Sequence, residues 1–142
     1  MPIAGVVADA NVILSALIGK AALRVCTGFG LDVHMARHCE AEVREYIPRL
    51  FSRYGLPLEL VEIRWRILEV RVHPESDYVA HFAKAKADME SRDPDDAHPL
   101  ALARTLRLPL WTNDHDLFGR GVTSYPTARL LAILDRQGPS TP

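Results

Sequence analysis

Carboxylates are crowded into two short stretches of this sequence. Asp93, Asp95 and Asp96 occupy three of four consecutive positions, and Asp114 and Asp116 follow a short apolar segment further along the chain. At an effective dielectric near 20, two carboxylates about 5 Å apart repel each other by roughly 3 kcal/mol. Either open solvent or a bound cation must offset that repulsion. The residues by themselves leave both explanations open.

The first apolar segment of the chain, residues 3–8, ends at another carboxylate, Asp9. A short, continuous apolar run is typical of a strand buried on both faces of a parallel sheet, so Asp9 is expected at the carboxyl end of a strand. Asn11 is predicted to be the N-cap of a helix over residues 12–18. The positive end of that helix dipole would then lie beside the acid.

Strand and helix patterns alternate through the rest of the chain. Further strands are predicted at residues 31–36, 70–73, 108–112 and 122–125. Helices are predicted between them, including one over residues 37–54 that is interrupted or kinked near Pro48, and one over residues 58–70 with Leu60, Ile63 and Ile67 near one face. The expected fold is a three-layer α/β/α domain over residues 1–137, with a central, mostly parallel sheet of four to five strands. Residues 138–142 are predicted to form a flexible tail.

The helix predicted over residues 37–54 carries three glutamates. Its apolar stripe consists of Cys39, Val43, Tyr46, Ile47 and Leu50. Glu45 lies away from this stripe and is expected to face solvent, whereas Glu40 and Glu42 lie on its two borders. Helical periodicity does not choose between those two.

The carboxyl ends of parallel strands form the edge of a sheet where ligands bind. Asp9 and Asp114 are both expected at such ends, and Asp95 or Asp96 opens the helix that leads to the strand before Asp114. Three or four carboxylates without His or Cys select a hard cation, Mg²⁺ or Mn²⁺, whose coordination is completed by water and phosphate oxygens. One or two such ions would activate a water molecule for displacement at phosphorus.

Composition limits the class of protein. The 142 residues are 48% hydrophobic and 25% charged, which is typical of a globular domain. The net charge of −1 argues against a strongly basic nucleic-acid binder. No signal peptide or membrane segment is recognisable, so a cytoplasmic location without membrane contact is expected. Cys26 and Cys39 form no metal-binding or disulfide pattern and are predicted to be small buried side chains.

Four stretches, in this order, resemble the motifs of PIN domains. Residues 7–17, with the sequence VADANVILSAL, resemble the opening strand and helix of that family, and residues 93–97 with the later Leu102 and Ala103 resemble its third acidic motif. Residues 111–117, with the sequence WTNDHDL, are similar to the fourth. Ala41-Glu42-Val43 is similar to the family's helix glutamate, and this likeness favours Glu42 over Glu40. The resemblance covers nearly the whole chain.

The resemblance implies a metal-dependent endoribonuclease that hydrolyses RNA, often the toxin of a toxin–antitoxin pair and often a homodimer. The residues that it implies for Mg²⁺ or Mn²⁺ and for catalysis are Asp9, Glu42, Asp96 and Asp114. Asp93 and Asp116 are further metal-ligand candidates. Asn11, Thr112 and Asn113 are candidates for orienting substrate or water.

Pro99 departs from the family pattern, because a helix-forming residue is expected there. If Asp96 is the N-cap, Pro99 occupies the third helical position and removes only an N–H that has no intrahelical partner. If the helix begins earlier, a hydrogen bond is lost and Asp95 would face the site instead.

Two other classes of function compete with the nuclease. The first is a nucleic-acid-binding or regulatory module that keeps the PIN fold but has little catalytic activity. The second is an Asp-centred phosphatase or phospho-receiver. A phosphatase of the haloacid dehalogenase type requires Asp-x-Asp after its first strand, and Asp9 is instead followed by Ala10 and Asn11. The acidic pair and late lysine of a receiver are also missing, so the second class is disfavoured.

Overall fold

The computed structural model describes residues 2–138, in which five strands alternate with seven α-helices. The strands, β1 to β5, are Gly5–Ala8, Asp32–Ala36, Arg71–His73, Leu110–Trp111 and Ser124–Tyr125. The helices, α1 to α7, are Ala10–Ile18, Ala21–Thr27, Arg37–Tyr54, Leu58–Leu68, Val79–Asp88, Ala97–Leu106 and Thr127–Gln137. Short 3₁₀ turns cover Glu75–Asp77, Pro94–Asp96 and His115–Leu117. Of the predicted tail, only Gly138 lies within the described residues.

The strands form one sheet in the order β3-β2-β1-β4-β5, and the four pairings between neighbours are all parallel. The strand order reverses direction between β1 and β4, where Ala8 pairs with Trp111. The residues that follow these two strands, Asp9 and Thr112, therefore emerge side by side. The predicted three-layer α/β/α fold is confirmed.

The core lies between the sheet and its helices. The four residues of β1 are buried, as expected for a central parallel strand. Every residue of α6 from Ala97 to Ala103 is also buried, because this helix packs against α5, β1, β2 and β4. Trp111, in β4, is the largest fully buried side chain. The helix that carries Asp96 is thus held on several sides.

The predicted N-cap of α1 was wrong. The helix begins at Ala10, and its N-cap is Asp9, whose side chain accepts a hydrogen bond from the Val12 backbone N–H at 3.0 Å. Both Asp9 and Asn11 are favourable capping residues, and the helix begins directly after β1. Asp9 therefore ends the strand and caps the helix at once.

Helix α3 runs from Arg37 through Pro48 to Tyr54 without an interruption, which was one of the two predicted effects of the proline. Pro48 is exposed. The carbonyl of Arg44, four residues earlier, loses its helical partner at a position where water can replace it. The helix ends instead at Gly55, whose φ of 68° is left-handed and readily adopted by glycine.

Helix α4 turns a different face to the core than its apolar spacing suggests. Val61 and Leu68 are buried, whereas Leu60, Ile63 and Ile67 are 36%, 55% and 51% exposed. We call these three residues the α4 stripe. It is an apolar surface without cover among residues 2–138.

Among the described residues, no single helix has the length and apolarity to cross a membrane; α1 and α2 meet those criteria only when taken together, and they are bent by 102° relative to each other.

We expect Pro48→Ala to stabilise the protein by about 1–3 kcal/mol, because alanine restores a helical hydrogen bond and removes a clash with the preceding turn. Part of this gain is offset by the greater freedom that alanine gives the unfolded chain. Urea denaturation measures the free energy of unfolding. Arg49→Ala, at the neighbouring exposed position, is the control and should change it by less than about 0.5 kcal/mol. A Pro48→Ala variant that is less stable than the parent would contradict the prediction.

Candidate metal centre

Asp9 is a buried carboxylate at the junction of β1 and α1, with 6% of its surface exposed. One carboxylate oxygen, Oδ1, accepts a hydrogen bond from the Val12 N–H at 3.0 Å, and Oδ2 accepts one from the Thr112 hydroxyl. Burial raises the pKa of Asp9, the two hydrogen bonds oppose this, and the charge of Asp114 raises it further. The position of the carboxylate is therefore fixed, but its negative charge is poorly compensated.

Thr112 joins the loop after β4 to Asp9. Its side chain is fully buried, and its hydroxyl oxygen also accepts a hydrogen bond from the Asp114 N–H at 3.0 Å. Asp114 in turn caps the following 3₁₀ turn, since its Oδ1 accepts from the Asp116 N–H at 2.9 Å. Thr112 therefore sets the distance between the carboxylates that follow β1 and β4.

The start of α6 determines which aspartate of the acidic run is directed inward. Asp93 caps the 3₁₀ turn over Pro94–Asp96 by accepting from the Asp95 N–H at 3.0 Å. Asp96 is the N-cap residue of α6 but makes no capping hydrogen bond with its side chain. Pro99 is then the third residue of the helix, where its missing N–H has no intrahelical partner to lose. The side chain of Asp96 is thus not used to cap the helix.

A cavity of about 90 Å³ lies at the carboxyl edge of β1 and β4, and we call it the acidic cavity. It is lined by Asp9, Ala10, Asn11, Cys39, Glu42, Asp93, Asp95, Asp96, Pro99 and Asp114. The four residues of the predicted metal set all line it, together with Asp93, Asp95 and Asn11. Residues separated by more than a hundred positions in sequence are therefore gathered at one point.

The carboxylates of the acidic cavity carry negative charge that nearby groups do not neutralise. Burial raises the pKa of Asp96 to about 8, and the neighbouring carboxylates of Asp114, Asp93 and Asp9 add to this rise. The Oδ2 atom of Asp96 is buried and has no hydrogen-bond partner among the described residues. Glu42 is more open, with 44% of its side chain exposed, and burial still raises its pKa. A cation is the group that would satisfy these oxygens.

The donor atoms fit Mg²⁺ or Mn²⁺, because the side chains that can reach an ion offer carboxylate and amide oxygens. Cys39 also lines the cavity, but burial holds the pKa of its thiol well above the usual range, so it stays protonated and is a poor ligand. Within residues 2–138, no three His, Cys, Asp or Glu side chains are already arranged to hold a metal ion.

Three predicted residues do not line the acidic cavity: Thr112, which is hydrogen-bonded to Asp9, and also Asn113 and Asp116. Asp116 forms an ion pair with Arg92, with 3.4 Å between Oδ1 and Nη1. The side-chain carbonyl of Asn113 accepts from the Thr127 N–H at 2.9 Å at the start of α7. Their roles at the site remain predictions, and in this structure the side chains of Asn113 and Asp116 have structural partners instead.

His38 is a residue of the site that sequence analysis missed. Its Nε2 lies 3.3 Å from Asp95 Oδ1 and 3.6 Å from Glu42 Oε1, and its ring stacks on His98 with 3.9 Å between centroids. His98 continues the contact inward, since its Nδ1 lies 2.7 Å from the Tyr78 hydroxyl. The spacing of His38 and Glu42, four residues apart on one helix, was the signal available in the sequence.

We expect the metal-free protein to lose stability as pH rises from about 4 to about 8. The pKa of Asp96 is about 8 in the folded chain and near 3.9 in an unfolded one, so the folded state binds more protons within that range. Each such proton lowers the free energy of unfolding by about 1.4 kcal/mol per pH unit. Asp96→Asn should flatten this dependence and raise stability at pH 8. Thermal denaturation in EDTA at several pH values measures it.

The control for this prediction is Asp32→Asn, which removes an exposed carboxylate paired with Arg71 at the other end of the sheet. This variant should keep the pH dependence of the parent protein. An Asp96→Asn variant with the parent's pH dependence would contradict the prediction.

The sequence and the fold of this chain were compared with those of known proteins. A sequence profile described as the PIN domain matches residues 7–135. Similar folds include a toxin–antitoxin complex from Klebsiella pneumoniae (TM-score 0.61, 17% identity, covering 82% of this chain and 92% of that chain). They also include FitAcB from Neisseria gonorrhoeae (TM-score 0.66, 20% identity, 87% and 98% covered) and PAE2754 from Pyrobaculum aerophilum (TM-score 0.64, 16% identity, 96% and 98% covered). No curated protein matches the sequence. Because the profile spans most of its length, the chain belongs to the PIN domain family.

Proposed function

We propose that this protein is a metal-dependent endoribonuclease that hydrolyses phosphodiester bonds in RNA. The observation that carries the proposal is the convergence of Asp9, Glu42, Asp96 and Asp114 on one cavity at the switch point of a parallel sheet. Membership of the PIN domain family supports it. When bound, Mg²⁺ or Mn²⁺ would activate a water molecule and stabilise negative charge on the phosphate oxygens.

The side chains around the cavity have distinct roles in this proposal. Asp9 and Asp114 would hold the ion in a fixed position, because Thr112 connects them. Asp96, whose buried Oδ2 has no hydrogen-bond partner among the described residues, would bind the ion, and the ion would offset the repulsion between Asp96 and Asp114. Glu42, on the more open side, would complete the ligand set. Asn11 is exposed at the cavity and would contact the scissile phosphate or its water.

We expect the purified protein to cut single-stranded RNA in Mg²⁺ or Mn²⁺ and to stop in excess EDTA. Asp9→Asn and Asp96→Asn should each lower the cleavage rate by about 100-fold or more, because each removes a proposed metal ligand. Gel assays with labelled RNA measure the rate, and circular dichroism checks that both variants are folded. Asp32→Asn, which removes a carboxylate outside the cavity, should retain full activity. Cleavage by folded Asp9→Asn or Asp96→Asn at the parent's rate would overturn the assignment.

The alternative function is a nucleic-acid-binding or regulatory module with the PIN fold. It is favoured by one observation, that no three donors within the described residues are already arranged around an ion. The same samples separate the two functions. Metal-dependent cleavage supports the nuclease, whereas RNA binding in Mn²⁺ without cleavage supports the module.

We further propose that this PIN domain is the toxin of a toxin–antitoxin pair and that the antitoxin covers the α4 stripe. The similarity of this fold to a toxin–antitoxin complex from Klebsiella pneumoniae supports a protein partner. The α4 stripe supports its position, since Leu60, Ile63 and Ile67 form an apolar surface without cover. A partner segment with apolar side chains at helical spacing fits such a surface. The homodimer expected from the family resemblance also remains a proposal.

We expect the protein to co-purify with a small protein encoded beside it when the two are co-expressed. Ile63→Asp combined with Ile67→Asp should abolish this complex, because two charges would be buried at the contact. Val79→Asp is the control, since Val79 is an equally exposed apolar residue on α5 and its replacement should leave the complex intact. Size-exclusion chromatography with light scattering measures the composition. If the double variant keeps the complex but loses self-association, the stripe is instead a homodimer interface.

A further inference from the structure

A second and larger cavity, of about 620 Å³, lies at the far end of α6 from the acidic cavity. Four cationic side chains line it, and we call it the basic cavity: Lys84, Arg104, Arg107 and Arg120. Arg107 directly follows the last residue of α6, whereas Asp96 precedes the first. Ten helical residues, about 15 Å, separate the two ends. The basic cavity is therefore not an extension of the proposed metal site.

Two of the arginines are held in place by backbone carbonyls. Arg120 donates from Nε to the Asp116 carbonyl at 2.9 Å and from Nη1 to the Asp88 carbonyl at 3.1 Å. Arg104 donates from Nη2 to the Arg120 carbonyl at 2.8 Å. Solvated surface arginines are usually mobile, so these guanidinium groups are unusual in being positioned before any ligand arrives.

The positive charge of the basic cavity is largely unpaired. Asp88 is the one carboxylate within residues 2–138 that forms ion pairs with this group, at 2.7 Å from Arg104 and 3.3 Å from Lys84. Neither Arg107 nor Arg120 has an ion-pair partner among these residues, and the buried Nη1 of Arg104 has no hydrogen-bond partner there. Four cations therefore face one carboxylate, which favours an anionic ligand.

Arg107 also occupies a costly backbone position. Its φ of 56° is left-handed, in the place after a helix where glycine is the usual residue. A non-glycine residue there costs about 1 kcal/mol or more relative to glycine. The guanidinium group at the cavity is a benefit that glycine would not provide.

The rest of the lining combines apolar residues with His81, Thr123 and Tyr125. Leu108, Pro109 and Val122 form part of the wall, and Tyr125 contributes a phenol ring. The volume is suited to a small organic ligand rather than to a bare ion. The guanidinium group of arginine can donate two parallel hydrogen bonds to phosphate oxygens. Aromatic and aliphatic side chains can pack against the face of a nucleotide base.

We infer that the basic cavity binds a nucleoside phosphate, with the phosphate on the arginines and the nucleoside against the apolar wall. The ligand has two sources, a free mononucleotide or a nucleotide unit of an RNA strand, which share this chemistry. The inference does not depend on hydrolysis at the acidic cavity, because binding is measured without divalent cations.

The test is isothermal titration of the whole chain in EDTA with AMP, adenosine, inorganic phosphate and a 2′-O-methyl RNA oligonucleotide. AMP or the oligonucleotide should bind at least tenfold more tightly than adenosine or phosphate alone. Lys84→Gln combined with Arg107→Gln should weaken that binding by about tenfold or more, because both side chains are exposed and their charges meet the phosphate. The control, Lys20→Gln combined with Arg66→Gln, removes the same charge from exposed positions outside the cavity.

Each result decides the proposal. If AMP binds and its binding depends on Lys84 and Arg107, the natural ligand is a free nucleotide. If only the oligonucleotide binds in this way, the natural ligand is a nucleotide unit of RNA. Equal binding of AMP and adenosine, equal loss in the control variant, or no binding of either ligand at millimolar concentration would overturn the inference. If a glutamate-rich peptide at the same concentration displaces AMP, the inference is overturned, and the ligand of the basic cavity is instead an acidic segment of a protein.

Discussion

The arrangement of the site depends on one buried carboxylate, Asp9. It is placed by the central strand β1, it caps α1 through the Val12 N–H, and it is joined to the loop after β4 by the Thr112 hydroxyl. A charge removed from water is expensive unless hydrogen bonds or opposite charge compensate for it. The hydrogen bonds to Asp9 offset part of that cost, and the nearby Asp114 adds to it. The other carboxylates of the acidic cavity are arranged around this fixed point.

Crowding of carboxylates lowers stability and at the same time prepares the cavity for a cation. Burial and the neighbouring charge of Asp114 both disfavour the ionised form of Asp96, which is the reason that its pKa rises to about 8. Sites that keep such unfavourable charges are common where function requires them. His38 places an imidazole ring beside Asp95 and Glu42 and connects them to the buried His98 and Tyr78.

Three surfaces of different chemistry share this small domain. Carboxylates gather at the amino end of α6, arginines and a lysine gather near its carboxyl end, and α4 carries an uncovered apolar stripe. The net charge of −1 hides this separation, because it sums the acidic and basic regions. A domain with strongly uneven charge can bind phosphates at one place and hold cations at another. The apolar stripe then remains for a contact of a different kind.

Local sequence was sufficient for much of the fold. Apolar runs that end in Asp9 and just before Asp114 predicted strands with carboxylates at their carboxyl ends, because strand burial and strand ends are both recorded in neighbouring residues. Pro99 limited the start of α6 to two registers, and the structure has the one in which Asp96 is the N-cap and the proline lies in the first turn. The PIN resemblance selected Glu42 where helical periodicity had left two choices.

Other features were decided by tertiary structure. Asp9 took the capping position predicted for Asn11, because the helix had to begin where β1 ends. Periodicity showed that Leu60, Ile63 and Ile67 share a face but not that this face is exposed, since burial depends on which elements pack against α4. The contacts of His38 with Asp95 and His98, and the gathering of Lys84 and Arg120 with the arginines at the end of α6, likewise join segments far apart in the chain. The sequence by itself determined the elements and the chemistry at their ends, whereas packing alone determined which side chains meet, because proximity in space is a property of the folded chain.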